Sequence, residues 1–197
     1  MILIGLTGGM GSGKSSVSAR LVARGAVLID ADAITRSLQV PGQAVFDKMV
    51  ERFGDAILDV DGSLNRQAVA DVVFSDPDAL ADLNAIVHPA VGAEIARRLE
   101  VESGTDHVVV LDVPLLVESG RSDLAALVVV DVDPEVAVDR LVRFRGVRAD
   151  DARARMAKQA SREERLALAD VVIDNSGSEA DLNLEVERLW RWIDGLR

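Results

Sequence analysis

Residues 8–15 read Gly8-Gly9-Met10-Gly11-Ser12-Gly13-Lys14-Ser15 and match the pattern G-x-x-x-x-G-K-[ST] at every specified position. The apolar segment 2–6 before them is typical of a buried strand, and the helical pattern of residues 14–23 after them ends at Gly25. In this setting the N–H groups of a glycine-rich loop and the positive end of the helix dipole bind phosphate oxygens. The stretch therefore predicts a phosphate-binding loop, here called the P-loop, rather than a turn that matches the pattern by chance.

Two side chains of the P-loop carry the predicted chemistry. Lys14 can reach the β- and γ-phosphates of a nucleoside triphosphate, and the Ser15 hydroxyl can bind Mg²⁺. Lysine is scarce in this chain, which holds three lysines among 22 basic residues, so a lysine at this slot runs against the bias of the composition. As a loop residue, Lys14 is expected to be exposed and to support little packing.

Apolar segments that favour strands alternate with helical patterns along most of the chain. The helix starts are well marked: Asp133-Pro134-Glu135 combines an N-cap residue with proline at the first position, and Ser178 precedes a last helix that includes Trp192. Such alternation predicts an α/β fold with a parallel sheet flanked by helices. The predicted strands are 2–6, 26–29, 107–113, 126–132 and 171–174.

Residues 40–100 interrupt this alternation with helical patterns that are separated by glycines and Pro77. They predict a helical insertion, in which His88-Pro89 would kink or restart a helix. Asp59-Val60-Asp61-Gly62 matches D-x-x-G, but its turn-rich surroundings indicate a turn. We therefore predict one domain, residues 1–197, whose parts are a core (1–39, 105–145 and 168–197), the insertion (about 40–104) and a lid (about 146–167).

Composition excludes several classes of function. The chain contains no cysteine, no apolar run long enough to span a bilayer and no room for a signal peptide before the first strand, which predicts a cytoplasmic protein without membrane contact. The formal net charge of −11 argues against nucleic acid as a partner. Residues 140–165, however, hold nine basic and four acidic residues, a local charge of +5 against −16 elsewhere. This cluster favours a small anionic ligand, with a solvated helix face as the alternative.

A P-loop predicts nucleotide binding without specifying the reaction. The guanine-reading pattern N-K-x-D of GTPases is absent, and Ser16 stands where a dinucleotide fingerprint requires its third glycine. The combination of a sheet, a helical insertion and a basic segment fits a small kinase that phosphorylates a metabolite. Arg140 is expected to point at the phosphates from the helix that starts at Pro134, with Arg143 one turn further on the same face.

Two carboxylates follow predicted strands, where ligands of open α/β sheets bind. Asp32, in Asp30-Ala31-Asp32, could accept the proton of an acceptor hydroxyl or could instead N-cap the next helix. Asp112 ends the apolar run Val108–Leu111, as in a Walker B segment, and could hold Mg²⁺ through water or simply end the strand. Pro114-Leu115-Leu116-Val117-Glu118 follows and could line an acceptor pocket.

With these residues in place, the chain resembles the dephospho-coenzyme A kinases over nearly its whole length. The matching motifs are Gly5–Ser15, Asp30-Ala31-Asp32, His88-Pro89, Pro114–Glu118, Lys158-Gln159 through Arg162, and Ala169–Gly177. The resemblance implies the P-loop nucleoside-triphosphate hydrolase fold of the nucleoside-monophosphate kinase type, with five parallel strands, a helical coenzyme A-binding insertion and a lid. It also implies phosphorylation of the ribose 3′-hydroxyl of dephospho-coenzyme A by ATP, the last step of coenzyme A biosynthesis.

The resemblance further implies roles for single residues, with ATP and Mg²⁺ as cofactors. The assembly is expected to be a monomer or small homo-oligomer. Catalysis is expected from Lys14, Asp32 and Arg140. ATP binding is expected from Gly11, Ser12, Gly13, Lys14, Ser15, Ser16, Arg143 and Asn175, the last near the adenine. Dephospho-coenzyme A binding is expected from Thr7, Asp32, His88, Pro114, Leu115 and Leu116, and Mg²⁺ binding from Ser15 and, through water, Asp112. Another small-metabolite kinase and a nucleotide-regulated binding module are the alternatives.

Overall fold

A computed structural model describes residues 1–113, 116, 123–157 and 159–197. In these residues the strands are β1 (Ile2–Gly8), β2 (Val27–Asp30), β3 (Val108–Asp112), β4 (Ala126–Asp131) and β5 (Val171–Asp174). The helices are α1 (Lys14–Val22), α2 (Ala31–Leu38), α3 (Ala44–Phe53), α4 (Arg66–Ser75), α5 (Pro77–Glu102), α6 (Pro134–Arg145), α7 (Ala149–Met156), α8 (Arg162–Ala167) and α9 (Glu179–Asp194), with a 3₁₀ turn at Asp55–Ile57. Each predicted strand is present, with bounds that differ by at most two residues.

The five strands form one parallel sheet in the order β2-β3-β1-β4-β5, which confirms the predicted fold class. In the central strand β1, every residue from Leu3 to Gly8 is buried, as expected for a strand paired on both sides. The register pairs Leu6 with Asp112 and Thr7 with Val129. The carboxyl ends of the strands therefore meet at one edge of the sheet, where β2, β3, β4 and β5 each end in an aspartate and β1 runs into the P-loop.

The chain divides into two compact units. The first unit comprises Met1–Asp30 and Glu102–Arg197 and contains the whole sheet. One face of the sheet packs against α1 and α9, whose buried residues include Val17, Leu21, Val186 and Ile193. These helices are apolar on the side that faces the sheet. Burial of that side fixes the N-terminal ends of α1 and α9 beside the P-loop.

The second unit, Ala31–Val101, consists of α2 to α5 and the 3₁₀ turn around an apolar cluster that includes Met49 and Ile57. It begins nine residues before the predicted insertion because α2 packs with α3. His88-Pro89 was expected to kink or restart a helix; α5 continues through Pro89, so it does not restart there. Residues 59–62 do form a turn, with Gly62 at φ 81° between the bridge partners Leu58 and Leu64.

None of the described helices combines the length and the apolar character that crossing a bilayer requires.

Candidate functional site

The backbone of the P-loop requires glycine at two positions. Gly11 (φ 79°) and Gly13 (φ 83°) both lie in the left-handed region, where a side chain is strained. A Cβ would also collide there, 2.8 Å from the Ala137 carbonyl oxygen at Gly11 and 2.2 Å from Asn175 Nδ2 at Gly13. Glycine therefore allows both the turn and the close approach of neighbouring elements.

The P-loop lysine is paired with the last residue of β3. The Lys14 ammonium donates to Asp112 Oδ1, and the two side chains are 20% and 7% exposed. The expectation of an exposed loop lysine was therefore wrong, because β3 lies next to β1 and brings a buried carboxylate under the loop. Without this partner the Asp112 charge would be buried at considerable cost.

A cleft with a volume of about 350 Å³ opens beside the P-loop. Its walls come from the start of α1, the second half of α6 and the loop between β5 and α9. The described lining residues are Gly11, Gly13, Ser15, Ser16, Arg20, Arg140, Leu141, Phe144, Arg145, Asn175, Gly177, Ser178, Glu179 and Leu182. Six predicted ATP-binding or catalytic residues are thus brought together, whereas Arg20, Phe144 and Arg145 were missed.

Arg140, Asn175 and Ser12 form a hydrogen-bonded group at the wall of this cleft. Arg140 NH2 donates to the Asn175 carbonyl oxygen at 2.8 Å, and Asn175 Nδ2 donates to the Ser12 carbonyl oxygen at 2.7 Å. In the described structure, two buried polar atoms of the group have no hydrogen-bond partner: Ser12 Oγ and Arg140 NH1. Buried donors of this kind are costly unless a ligand satisfies them, so the group fits an incoming anion.

Arg143 does not lie with Arg140. Its Nε donates to Asp139 Oδ1 at 2.8 Å, its side chain is 70% exposed, and it is absent from the described lining of the cleft. The cleft is reached instead by positions 140, 141, 144 and 145 of α6, which share one face at a period of 3.6 residues. Counting that period forward from Arg140 would have identified Phe144.

The segment predicted to be a lid, residues 146–167, contacts the P-loop through side chains. Gln159 Oε1 accepts a hydrogen bond from the Met10 N–H at 3.0 Å, and Arg165 NH2 lies 2.8 Å from the place that a Cβ on Gly9 would occupy. At the start of α8, Arg162 binds both carboxylate oxygens of Asp131, with Nε at 2.9 and 3.0 Å and NH2 at 2.6 Å. Lys158 of the same motif lies outside the described residues.

A small apolar cluster joins the lid to α6. Ala152 of α7 is fully buried against Val138 and Leu141, and Met10 of the P-loop packs against the same cluster. Around it the lid is exposed and is held by ion pairs such as Arg153 to Glu135 at 2.7 Å. In the predicted basic segment, residues 140–165, some side chains form ion pairs on the surface, and others lie next to the P-loop.

The residues predicted to bind the acceptor fall into three groups. In the first unit, Thr7 is buried in β1 and Leu116 is buried beside Gly5. In the second unit, Asp32 and His88 are exposed, and Asp32 is the second residue of α2 rather than its N-cap. Pro114 and Leu115 lie outside the described residues.

The edge of the sheet also contains a carboxylate with a shifted pKa. The Ser176 hydroxyl and N–H donate to Asp174, and nearby Arg162 adds a positive charge, which together hold the pKa of that carboxyl below its ordinary value. Among the described residues, no three His, Asp or Glu side chains form a group that could hold a metal ion by themselves. A Mg²⁺ ion at this edge would need phosphate oxygens as further ligands, which is its usual arrangement in phosphate-transfer sites.

Comparison with known proteins gives consistent results. The family model of dephospho-CoA kinase matches residues 2–181. The dephospho-CoA kinase of Streptomyces avermitilis is 54% identical over 191 residues, which cover 96% of this chain and 93% of that protein. The crystal structure of TT1252 from Thermus thermophilus is 33% identical with a TM-score of 0.82 and covers 97% of each chain. The dephospho-CoA kinase structure from Campylobacter jejuni, 24% identical, has a TM-score of 0.74, covers 98% of this chain and 97% of its own, and supports the fold alone.

Proposed function

This chain belongs to the dephospho-CoA kinase family and is an ATP-dependent kinase of coenzyme A biosynthesis, and we propose how its residues divide the work. The acceptor in this proposal is the ribose 3′-hydroxyl of dephospho-coenzyme A, and the products are coenzyme A and ADP. The observation that carries the proposal is a pair of buried donors beside the P-loop, Ser12 Oγ and Arg140 NH1, that find no hydrogen-bond partner among the described residues. The chain that contains them matches the family over residues 2–181.

ATP is proposed to lie with its phosphates in the P-loop and its nucleoside in the cleft of about 350 Å³. The N–H groups at the start of α1, Lys14 and Arg140 would stabilise the charge that develops on the transferred phosphoryl group. Little covalent chemistry is needed from the protein in such a transfer, so positioning and electrostatics carry most of the rate. Ser15 and Ser16, exposed at the cleft, are suited to contact the phosphates directly.

Mg²⁺ is proposed to be held by the Ser15 hydroxyl and the phosphates, with Asp112 as a partner through water. The donor set fits, because a serine hydroxyl and a nearby carboxylate are the oxygen ligands that Mg²⁺ takes in P-loop proteins. When bound, the ion would supply positive charge that offsets part of the negative charge of the phosphates. In the structure Asp112 accepts from Lys14, so the same carboxylate would orient the lysine in the absence of ligand.

Thr7, Asp32, His88 and Leu116 are proposed to contribute to acceptor binding, and residues 146–167 are proposed to act as a lid that keeps water from the γ-phosphoryl group. We place the enzyme in the cytoplasm as a monomer or small homo-oligomer, which light scattering after gel filtration would test. The reaction itself is tested by coupled ADP release over a panel of hydroxyl acceptors that includes dephospho-coenzyme A, shikimate and gluconate. We expect turnover with dephospho-coenzyme A only, and a 3′-phosphate in the product by phosphorus NMR.

Other outcomes of that panel identify the alternatives. Turnover with a different acceptor would show another metabolite kinase, and ATP binding without acceptor-stimulated turnover would show a nucleotide-regulated binding module. Either result would overturn the proposed function.

Asp32 is proposed as the base that accepts the proton of the 3′-hydroxyl. Its exposure and its place in the first turn of α2 leave the carboxylate available, and they argue against a capping role. Asp32→Asn keeps the shape and removes the basicity, so we expect kcat to fall by roughly 10²–10⁴-fold with little change in ATP affinity. Asp78→Asn, an exposed aspartate in the first turn of α5, is the matched control for the loss of a charge at a helix start. Equal, small effects in both variants would remove Asp32 from catalysis.

A further inference from the structure

Asn175 occupies an unusual position, because it is bonded to three different elements of the first unit. It is the first residue after β5 and is 7% exposed. Its N–H donates to the Asp131 carbonyl oxygen at 2.9 Å at the end of β4. Its own carbonyl oxygen accepts from Arg140 of α6, and its side-chain amide donates to Ser12 of the P-loop. A residue that only contacted a base would not need this set of bonds.

The bond to Ser12 acts on the orientation of a peptide group in the P-loop. In a trans peptide the C=O and the following N–H point in opposite directions. By holding the Ser12 carbonyl at 2.7 Å, Asn175 Nδ2 therefore turns the Gly13 N–H away from itself. The carbonyl, which would repel a phosphate, stays bonded to a donor, and the N–H of Gly13, which precedes α1, is left available on the opposite side of that peptide.

The bond to Arg140 orients the guanidinium, the second group that is proposed to contact the phosphates. With NH2 held by the Asn175 carbonyl, NH1 is left buried and without a partner in the described structure. It lies 3.9 Å from the place that a Cβ on Gly13 would occupy. One residue thus fixes both the peptide before α1 and the guanidinium beside it.

We propose that Asn175 is a positioning residue that aligns the Gly13 N–H and Arg140 on the phosphates of the nucleotide, instead of recognising its base. The inference rests on the proposed function, since it presumes a nucleoside triphosphate in the cleft. The side-chain amide of Asn175 donates to the Ser12 carbonyl of the protein. The ligand contacts the Gly13 N–H and Arg140, which Asn175 orients.

Two probes separate positioning from base recognition: inorganic tripolyphosphate, which has no base, and adenosine, which has no phosphate. Calorimetry with tripolyphosphate and NMR titration with adenosine would be carried out on the wild type, Asn175→Ala and Asn175→Asp. We expect both variants to bind tripolyphosphate about tenfold more weakly, with adenosine binding unchanged. Asn175→Asp keeps the side-chain shape but cannot donate to Ser12, so it tests the donor rather than the volume.

A spectroscopic readout and a matched control complete the test. In the wild type, tripolyphosphate should shift the amide resonance of Gly13, and in Asn175→Asp this shift should be smaller. Gln67→Ala removes a comparable side-chain amide bond, from Gln67 Nε2 to Asp71 Oδ1 at 2.6 Å on α4, and should leave tripolyphosphate binding unchanged. Weaker adenosine binding with normal tripolyphosphate binding would overturn the inference in favour of base recognition. Wild-type turnover of dephospho-coenzyme A is measured separately, so failure of the proposed function would be distinguished from failure of this inference.

Discussion

The P-loop and the lid touch each other, but different interactions hold them in place. Around the P-loop the bonds are buried: Lys14 pairs with a 7% exposed carboxylate, and Asn175 donates to Ser12 from a position that is itself buried. The lid is held by exposed ion pairs and by one small cluster around Ala152. Buried polar bonds are costly to break because they leave unsatisfied groups, whereas exposed pairs contribute little and are screened by salt. From this difference in burial we expect a rigid phosphate site beside a segment that opens at low free-energy cost.

The largest effect is expected from Lys14→Ala. Loss of the charge on the phosphates should lower kcat/KM by roughly 10²–10⁴-fold. The variant should also unfold more easily, by about 3 kcal/mol, because Asp112 is left buried without its partner. Steady-state kinetics and urea unfolding measure the two effects.

A double variant separates these two losses. Lys14→Ala combined with Asp112→Asn removes the buried charge and should recover most of the stability but none of the activity. Arg191→Ala, which removes an exposed cation of α9, is the control and should change neither quantity appreciably. Wild-type stability in Lys14→Ala would contradict the contrast between the buried P-loop and the exposed lid.

Arg140→Lys should have the next largest effect. Lysine keeps the charge, but one ammonium cannot both donate to the Asn175 carbonyl and place a second nitrogen at the buried NH1 position. We expect kcat/KM to fall by about 10- to 100-fold, as for the loss of one charged hydrogen bond. Arg143→Lys is the matched control, since Arg143 pairs with Asp139 on the surface, and its activity should stay close to that of the wild type. Similar losses of kcat/KM in both variants would show that Arg143 also contributes to ATP binding.

The lid should respond through its motion more than through its chemistry. Hydrogen exchange of residues 146–157 should be fast in the free protein and slower with ATP plus acceptor, while β1 should exchange slowest throughout. Arg162→Ala, which removes the bidentate pair with Asp131, should speed lid exchange and change kcat/KM by at most about fivefold. Raising the salt concentration should reproduce part of that change in the wild type. If ATP and acceptor did not change the exchange rates of residues 146–157, the segment would be an ordinary surface and not a lid.

The smallest effect concerns the start of α9, next to the cleft. The Ser178 hydroxyl and N–H donate to Asp181 and hold its pKa below the ordinary value. A lowered pKa in the folded state means that the ionised carboxylate stabilises the fold above the unfolded pKa, and that this stabilisation is lost as the pH falls through the folded pKa. Asp181→Asn should therefore lower the urea midpoint at about pH 7 and have less effect at about pH 3. An equal difference at both pH values would exclude the ionised bond as the cause.

Local patterns predicted the fold well because each element carries its own signals. The Asp133-Pro134 start of α6 is recognisable in sequence, as is the glycine pattern before α1, and both were confirmed. The sequence left open whether His88-Pro89 kinks or restarts a helix, and α5 continues there because Val87 and Ile95 on either side of Pro89 are buried in the second unit. Helix-breaking signals in sequence thus give way to tertiary burial.

The site was predictable where its residues are neighbours in sequence and not where they are distant. The motif at residues 8–15 identified the P-loop, but no local pattern links Lys14 to Asp112 or Ser12 to Asn175, which the sheet brings together across 98 and 163 positions. The contact of Gln159, which accepts from the Met10 N–H of the P-loop, likewise depends on tertiary structure and not on a local sequence pattern.

The contact between Gly13 and Asn175 also restricts which mutations can compensate for one another. A Cβ at position 13 would collide with the Asn175 side chain, and a smaller residue at 175 would relieve only that collision. The φ of 83° would still strain any side chain at position 13, since the backbone there is fixed by the start of α1. A genetic selection for suppressors of Gly13→Ala should therefore recover revertants to glycine and no second-site changes at 175. A single mutation can destroy this contact, and only the reverse mutation can restore it.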